Sequence, residues 1–336
     1  MESVKVSIVI PVFNAKQLVE KMIQSILVQT YSDWELLLVD DGSDADVLAM
    51  LREYASKDAR IQVIVRNRAP KSAQTCRNIG LQQAVGKYIV FFDSDDLIAP
   101  YCLRQRVDFM KTHPHLDFGV FPAHEFTGDA DAATSASTKW GVPQPHDDVL
   151  GAFLRTRYPF TVWTNIYRRA ALTDVSWDEQ VVVYQDFDFS LSVLLKNKTF
   201  AYCETAADDY FYRIRHSAQS TAGNYVTEAK CRSTVYLFSK ILDRLKTRDD
   251  YVRRKKDLLA FVLLHWERLA VYGDRQQVLE YLSFVRKYYA WQVGAVIALL
   301  SRLILFARKR RLRKLEDNAI VASRFWYKRY AKPLSK

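Results

Sequence analysis

Two acid-rich turns carry the residue types needed for cation and phosphate chemistry. Asp93-Ser94-Asp95-Asp96 follows one apolar run, and Asp40-Asp41-Gly42-Ser43 follows another. Carboxylate oxygens suit hard divalent cations, and Mg²⁺ or Mn²⁺ is usually held by one or two carboxylates together with substrate phosphates. The first turn therefore predicts a cation that bridges a diphosphate. The alternative is a solvated turn whose Asp side chains cap the next helix.

The elements that position these turns alternate in a βαβα pattern through the first hundred residues. The strand-like runs are Val6–Phe13, Glu35–Val39, Ile61–Val65 and Tyr88–Phe92. They are almost continuously hydrophobic, as strands buried on both faces of a parallel sheet are. Ligands of such sheets bind at the carboxyl ends of the strands. The turn after the first strand (residues 11–14) and both acid-rich turns are therefore expected at one edge.

Four segments together resemble the family 2 glycosyltransferases that have a GT-A fold. In chain order they are VSIVIPVFN from Val6, LLLVDDGS from Leu36, CRNIGL from Cys76 and YIVFFDSDD from Tyr88. The resemblance implies an α/β fold of the GT-A type, a Rossmann-like mixed sheet flanked by helices. It also implies inverting transfer of a sugar from a nucleotide diphosphate in the synthesis of bacterial surface polysaccharides.

The resemblance assigns roles to residues of the donor side. Pro11, Phe13 and Asn14 would pack on the nucleotide base, and an aromatic face suits such stacking. Asp41 would read the base, most often uracil, since a carboxylate accepts the imide N–H. Arg77 would lie near the donor pocket, the alternative being an arginine on the surface of a helix.

The same resemblance makes Asp93, Ser94 and Asp95 contacts of the nucleotide sugar. Asp95 would be the principal ligand of Mn²⁺ or Mg²⁺, and Asp93 would lie near the ribose and be a second candidate ligand. Residues 213–220 are similar to the family's Tyr-Arg-x-His-x-x-Ser segment. His216 is therefore expected to contact the diphosphate or the metal. The alternative is a structural histidine.

The resemblance also implies that Asp186 is the general base, because it matches the aspartate of the family's Glu-Asp pair. Asp186 opens a helical pattern (residues 184–196) between two aromatic, strand-like runs, 160–167 and 200–212. The dipole of a helix N-terminus favours an ionised carboxylate there, and general-base assistance is worth roughly 10²–10⁴ in rate. Gln185 replaces the Glu usual in the family, which puts an acceptor contact in doubt. The alternative role for Asp186 is a helix cap.

Charge divides the chain into two parts. Residues 1–210 carry 21 Lys and Arg against 28 Asp and Glu, whereas residues 211–336 carry 28 against 10. An acidic first part disfavours a nucleic-acid-binding catalytic domain. We expect a catalytic domain at 1–222, with its nucleotide-sugar half at 1–98 and its acceptor half at 99–222. A basic helical region is expected at 223–336, with breaks near 248–250 and 273–274.

The basic region contains an apolar stretch, Trp291–Ala307, followed by the cations of residues 308–314. The stretch is short for a bilayer span and contains Arg302, so a helix lying in the membrane surface is favoured over a spanning one. A buried helix with a solvated basic end is the alternative. A lipid-linked or other glycan acceptor would be presented at that surface.

Cysteine spacing and the first residues indicate the compartment. Four separated cysteines without metal-site spacing are typical of reduced thiols, and the N-terminal apolar run is strand-like and lacks a cleavage site. We therefore expect a cytoplasmic protein, peripheral on the inner face of the membrane.

Two other functions compete with sugar transfer. A sugar nucleotidyltransferase would need a Gly-rich basic loop after the first strand, which Phe13-Asn14-Ala15-Lys16 does not provide. A non-catalytic sugar-nucleotide or glycan-binding scaffold with the same fold is favoured only by Gln185.

Overall fold

The computed structural model describes residues 5–127, 139–143, 148–214, 227–272, 275–289, 293 and 295–300. Its strands are β1 (Val6–Val12), β2 (Trp34–Asp40), β3 (Ile61–Val65), β4 (Tyr88–Phe91), β5 (Leu97–Ile98), β6 (Phe118–Val120), β7 (Ala123–Phe126), β8 (Lys139–Trp140), β9 (Asn165–Arg168), β10 (Phe200–Tyr202) and β11 (Tyr210–Arg213). Its helices are α1 (Lys16–Leu27), α2 (Ala45–Lys57), α3 (Ala73–Gln83), α4 (Cys102–Thr112), α5 (Val149–Leu154), α6 (Gln185–Leu195), α7 (Glu228–Leu245), α8 (Tyr251–Tyr272) and α9 (Arg275–Tyr288).

The chain divides into two compact units. The first comprises residues 1–147, 158–179 and 185–216, and the second comprises 148–157, 180–184 and 217–336.

A seven-stranded mixed sheet forms the centre of the first unit. Its strand order is β10-β6-β9-β4-β1-β2-β3, and β1 to β4 run parallel, whereas β9 is antiparallel to both β4 and β6. Every residue of β2 and of β4 is buried, which agrees with their largely apolar sequences. Because β4, β1 and β2 are neighbours, the turns that follow them meet at one edge of the sheet.

Helix α3 packs closely on this sheet and begins at the edge where the acid-rich turns lie. Ser72 caps it by accepting the Thr75 N–H, as serine does at many helix N-termini. A β-carbon at Gly80 would overlap the Val9 side chain. Glycine at this position therefore lets α3 approach β1 closely, and this fixes the position of Arg77 on the same helix.

A smaller sheet, β5-β11-β7-β8, lies next to the acid-rich turn after β4. Strand β11 pairs antiparallel with β5, which begins one residue after Asp96, and parallel with β7. The aromatic run predicted as one strand, 200–212, is two strands in different sheets. Cys203 and the polar turn after it end β10, so this part of the prediction was wrong. The run 160–167 likewise begins with a 3₁₀ turn, Val162–Thr164, and only its end is strand β9.

In its described residues the second unit is mainly helical, with an aromatic core that includes Phe238, Phe261 and Tyr281. Asp148 caps α5 and also accepts hydrogen bonds from Arg253 and Arg254 of α8. The predicted break near 248–250 is confirmed, since it separates α7 from α8.

Most of the apolar stretch from Trp291 lies outside the described residues. Its basic flank and the predicted break at 273–274 lie wholly outside them. Within the part of the chain that the structure describes, no helix is both long and apolar enough to cross a bilayer.

Candidate active site

The turns after β1 and β2 are tied together by their own polar groups. The Asn14 N–H donates to Ser43 Oγ, and the Asp44 N–H donates to Asn14 Oδ1, each at 2.9 Å. Asn14 and Ala15 both have positive φ, a conformation that Asn tolerates better than most residues. Asn14 therefore joins the two turns, which are followed by α1 and α2 respectively.

Phe13 and Asp41 lie at the ends of neighbouring strands and face different environments. Phe13 is an apolar side chain left half exposed, and the Lys71 ammonium stands 3.6 Å from the centre of its ring, a distance typical of a cation–π contact. Asp41 is mostly buried, and its Oδ1 accepts a hydrogen bond from Arg66 Nε at 2.5 Å. The Cys76 thiol lies beside the Asp41 carboxylate, and burial raises the pKa of this thiol to about 12.

Arg77 lies between the acid-rich turn after β4 and the start of α6. Its Nη2 donates to Asp93 Oδ1 at 2.5 Å, and its Nη1 is 3.6 Å from Asp186 Oδ1. The guanidinium packs over the Trp177 ring at 4.4 Å, and only 2% of the side chain is exposed. The structure thus brings together three residues predicted from separate segments, and Arg77 is not the surface arginine of the alternative interpretation.

Asp186 lies in the first turn of α6 and combines a buried oxygen with an accessible side chain. Its Oδ1 is out of contact with solvent and has no hydrogen-bond partner among the described residues, yet the side chain is 36% exposed. Burial raises the pKa of Asp186 to about 6, although the Arg77 charge acts to lower it. Such a carboxylate is ionised at neutral pH and is still basic enough to accept a proton.

Strand β11 holds the acid-rich turn from the other side. The Tyr210 hydroxyl donates to Asp96 Oδ2 at 2.6 Å and accepts the Asp93 N–H at 3.2 Å. Arg213 adds two bonds, from its N–H to Asp96 Oδ1 and from Nε to the Asp95 carbonyl. Burial, reinforced by Asp95 and Asp93, raises the pKa of Asp96 well above its usual value. Asp96 is thus an internal anchor of the turn, and Asp93 and Asp95 keep partly exposed side chains.

The oxygen atoms at this turn suit a cation whose remaining ligands come from a substrate. No group of three or more His, Cys, Asp or Glu side chains suited to a metal occurs in the described ranges. Asp93 and Asp95 supply two carboxylates, and a cation bound by one or two carboxylates completes its shell with phosphate oxygens and water. The chemistry of this pair therefore fits Mg²⁺ or Mn²⁺ bound together with a diphosphate.

The remaining predicted residues have simpler positions. Pro11 lies within β1, in register with Val39 of β2, and Ser94 lies half-buried in the acid-rich turn. His216 lies outside the described residues.

The distance between Asp41 and Asp93 is set by the strands that carry them, since β2 and β4 flank β1 at a spacing of about 5 Å per strand.

Four residues of this region were missed by the sequence analysis: Arg66, Lys71, Trp177 and Tyr210. Arg66 could have been found, because it directly follows β3 and the rule that located the other turns applies to that strand as well. Tyr210 and Trp177 contact the site through long-range packing, for which the sequence carries no local signal.

Comparisons with known proteins show which family the chain resembles. The model of the family described as glycosyl transferase family 2 matches residues 7–181. The uncharacterised glycosyltransferase EpsJ of Bacillus subtilis is 31% identical over 193 residues, which are 56% of this chain and 55% of EpsJ. The minor teichoic acid biosynthesis protein GgaA of the same organism is 28% identical over 221 residues, 64% of this chain and 48% of GgaA. The chain thus spans about half the length of each of these curated relatives.

Solved structures show the same fold. Staphylococcus aureus TarS 1–349 in complex with UDP-GlcNAc has a TM-score of 0.66 and 19% identity, covering 97% of this chain and 92% of that one. The mannosyltransferase PcManGT from Pyrobaculum calidifontis, in complex with GDP-Man and Mn²⁺, has a TM-score of 0.51 and 14% identity, covering 96% and 87%.

The family model covers just over half of the chain and includes both acid-rich turns and Arg77. The chain therefore belongs to glycosyl transferase family 2, and it has the GT-A fold.

Proposed function

We propose that this chain transfers a sugar, with inversion, from a UDP-sugar to a glycan or lipid-linked glycan acceptor in surface polysaccharide synthesis. In one displacement the acceptor oxygen bonds to the anomeric carbon, and the bond from that carbon to the diphosphate breaks. The acceptor proton passes to Asp186, and the nucleotide diphosphate leaves. The catalytic residues are proposed to lie within residues 1–222.

The observation that carries this proposal is the position of Arg77 between Asp93 and Asp186. One guanidinium contacts both the turn expected to hold the donor diphosphate and the carboxylate expected to act as base. Because Asp186 Oδ1 faces Arg77 and is buried, Oδ2 is the oxygen left to accept the acceptor proton. The geometry thus supports a base held beside the donor diphosphate.

Asp95 and Asp93 are proposed to hold Mn²⁺ or Mg²⁺ when the donor is bound, with His216 a further candidate ligand. The cation would neutralise charge on the diphosphate as it leaves. PcManGT binds Mn²⁺ with its GDP-sugar, which supports a divalent cation in this fold. The proposed UDP specificity is supported by TarS, which binds UDP-GlcNAc.

Release of UDP from a panel of UDP-sugars tests the proposal. The wild-type chain is expected to release UDP from at least one of them, faster with Mn²⁺ than with EDTA. Asp186→Asn is expected to bind UDP as the wild type does but to turn over about 10²–10⁴ times more slowly. A suitable control is Asp174→Asn, which removes an exposed carboxylate that pairs with Lys196 and Lys198 among the described residues. Binding without turnover under every condition would contradict the proposal and favour the scaffold.

The basic region, residues 223–336, is proposed to associate with the cytoplasmic face of the membrane. Its support is its sequence: an apolar stretch is followed by six Lys and Arg within residues 308–314. Anionic lipid attracts such cations at about 1 kcal/mol each. This location would place the catalytic unit where lipid-linked acceptors are available.

A further inference from the structure

Arg66 occupies a position that no motif assigned. It directly follows β3, and Asp41 directly follows β2. The two strands are parallel neighbours in which Asp40 pairs with Val65. The Arg66 N–H extends this ladder to the Asp40 carbonyl at 2.9 Å. The backbone therefore places the guanidinium next to the Asp41 carboxylate, and both side chains are largely buried, with 18% and 10% exposed.

Two nitrogens of the Arg66 guanidinium donate hydrogen bonds to the described residues, and the third does not. Nε donates to Asp41 Oδ1, and Nη1 donates to the Arg68 carbonyl, each at 2.5 Å. Nη2 has no acceptor among the described residues. Asp41 Oδ1 therefore accepts from Arg66, and the Nη2 N–H groups of Arg66 are left to donate to a ligand at this pair.

Asp41 and Arg66 together present one hydrogen-bond acceptor and one donor to a ligand that stacks on Phe13. The imide edge of uracil carries a single N–H between two carbonyl oxygens, which matches that pattern. Cytosine places an unprotonated ring nitrogen where a carboxylate needs an N–H. Guanine presents two adjacent N–H groups, which pair best with both oxygens of a free carboxylate, and Arg66 already holds one of them.

We infer that Arg66 is a nucleobase-specificity residue, which makes the Asp41 carboxylate selective for uracil over guanine and cytosine. The inference rests on the proposed function, since it assumes that Asp41 reads the base of the donor. It goes further by naming the residue that excludes the GDP-sugars used elsewhere in this fold.

Calorimetric titration of the full chain with UDP, GDP and CDP, each in the presence of Mg²⁺, tests the inference. The wild type is expected to bind UDP about tenfold or more tightly than GDP or CDP, as a charge-assisted hydrogen bond allows. Arg66→Gln is expected to weaken UDP binding about tenfold and to bring the UDP and GDP dissociation constants close together. Arg66→Lys, which keeps the charge but loses the planar fork, is expected to lose selectivity as well.

The matched control is Arg60→Gln, which removes the same charge from the opposite end of β3. Arg60 pairs with Asp58 and packs over Trp34, away from the turn edge. Thermal melting identifies any variant that fails to fold, and Arg66→Lys then serves as the test. Unchanged UDP selectivity in a folded Arg66 variant, or a wild type that prefers GDP, overturns the inference and leaves sugar transfer standing. If the wild type binds no nucleotide, the proposed function fails and the inference fails with it.

Discussion

Charge at the centre of the site is balanced by one buried arginine. Arg77 hydrogen-bonds Asp93 and lies at ion-pair distance from Asp186, so its positive charge is shared between two carboxylates with different proposed roles. A buried charge of this kind is tolerated only when it is paired. Other titratable groups interact with Asp186: Asp93, Tyr167 and Tyr212. Of these neighbours and Arg77, Arg77 is the one that carries a positive charge.

The first prediction concerns pH. Because the base must be ionised and the pKa of Asp186 is raised to about 6, kcat/KM for UDP release is expected to fall as pH drops through about 6. Above that value it should reach a plateau. The acidic limb is expected to vanish in Asp186→Asn, whose residual rate should not depend on pH in this range. A limb at the same pH in Asp186→Asn would assign it to another group.

The same raised pKa has a consequence for stability. The folded state binds the Asp186 proton more tightly than the unfolded state, whose pKa is near 4. The contribution of this group therefore favours folding at low pH and is lost as pH rises through about 6. Asp186→Asn is expected to raise the melting temperature relative to wild type more at pH 8 than at pH 4. A difference that does not depend on pH would contradict a raised pKa.

A second substitution separates charge from shape at Arg77. Its positive charge lowers the pKa of Asp186, so Arg77→Met is expected to move the acidic limb of kcat/KM to higher pH. Arg77→Lys keeps the charge and should leave the limb near its wild-type position, although with a lower plateau because the planar fork is lost. Superimposable pH profiles for Met, Lys and Arg at this position would show that Arg77 does not influence the base.

At the scale of elements, strand β11 and helix α4 hold the acid-rich turn in place. Arg106 of α4 and Asp209, the residue before β11, form an ion pair with both side chains fully buried. Asp209 precedes Tyr210, whose ring stacks on Trp163 at 4.8 Å and whose hydroxyl binds the turn. The ion pair therefore fixes the strand end from which Tyr210 reaches Asp93 and Asp96.

Tyr210→Phe tests this link, since it removes only the hydroxyl. Without it the Asp93 N–H and the Asp96 carboxyl lose their partner, and the carboxylates proposed to bind the cation lose their fixed position. We expect the Mn²⁺ concentration needed for half-maximal UDP binding to rise about tenfold or more. The control is Tyr101→Phe, which removes a hydroxyl that donates to the Asp208 carbonyl at the surface. Equal Mn²⁺ dependence in both variants would show that Tyr210 is merely a packing residue.

The sequence predicts this edge of the sheet well where the signal is local. The first four strands follow from almost continuous apolar runs, and the turns after β1, β2 and β4 follow from the Asn, Asp and Ser residues after those runs. The part that could not be predicted depends on contacts between distant segments. Trp177 contacts Arg77 across about a hundred residues of sequence. Tyr210 contacts the acid-rich turn because the run 200–212 forms two strands in different sheets. No local periodicity predicts either contact.

At the scale of the whole molecule, the acidic first part and basic last part of the chain have separate proposed tasks. Replacing Arg308, Lys309, Arg310 and Arg311 by Gln is expected to weaken co-sedimentation with phosphatidylglycerol vesicles, at about 1 kcal/mol per cation. Binding should also weaken as salt is raised. The control replaces four exposed cations of the first unit with Gln: Arg52, Lys57, Lys87 and Arg104. Equal binding by both variants would contradict membrane association through the basic region.

The most direct test is anomalous diffraction from Mn²⁺ in crystals of the full chain grown with UDP. One Mn²⁺ is expected beside Asp95 and Asp93 and next to the UDP phosphates, with uracil against Phe13 and Asp41 and the Asp186 carboxylate facing the vacant sugar position. Mn²⁺ or UDP bound away from these carboxylates, or Asp186 turned away from the diphosphate, would contradict the proposed function.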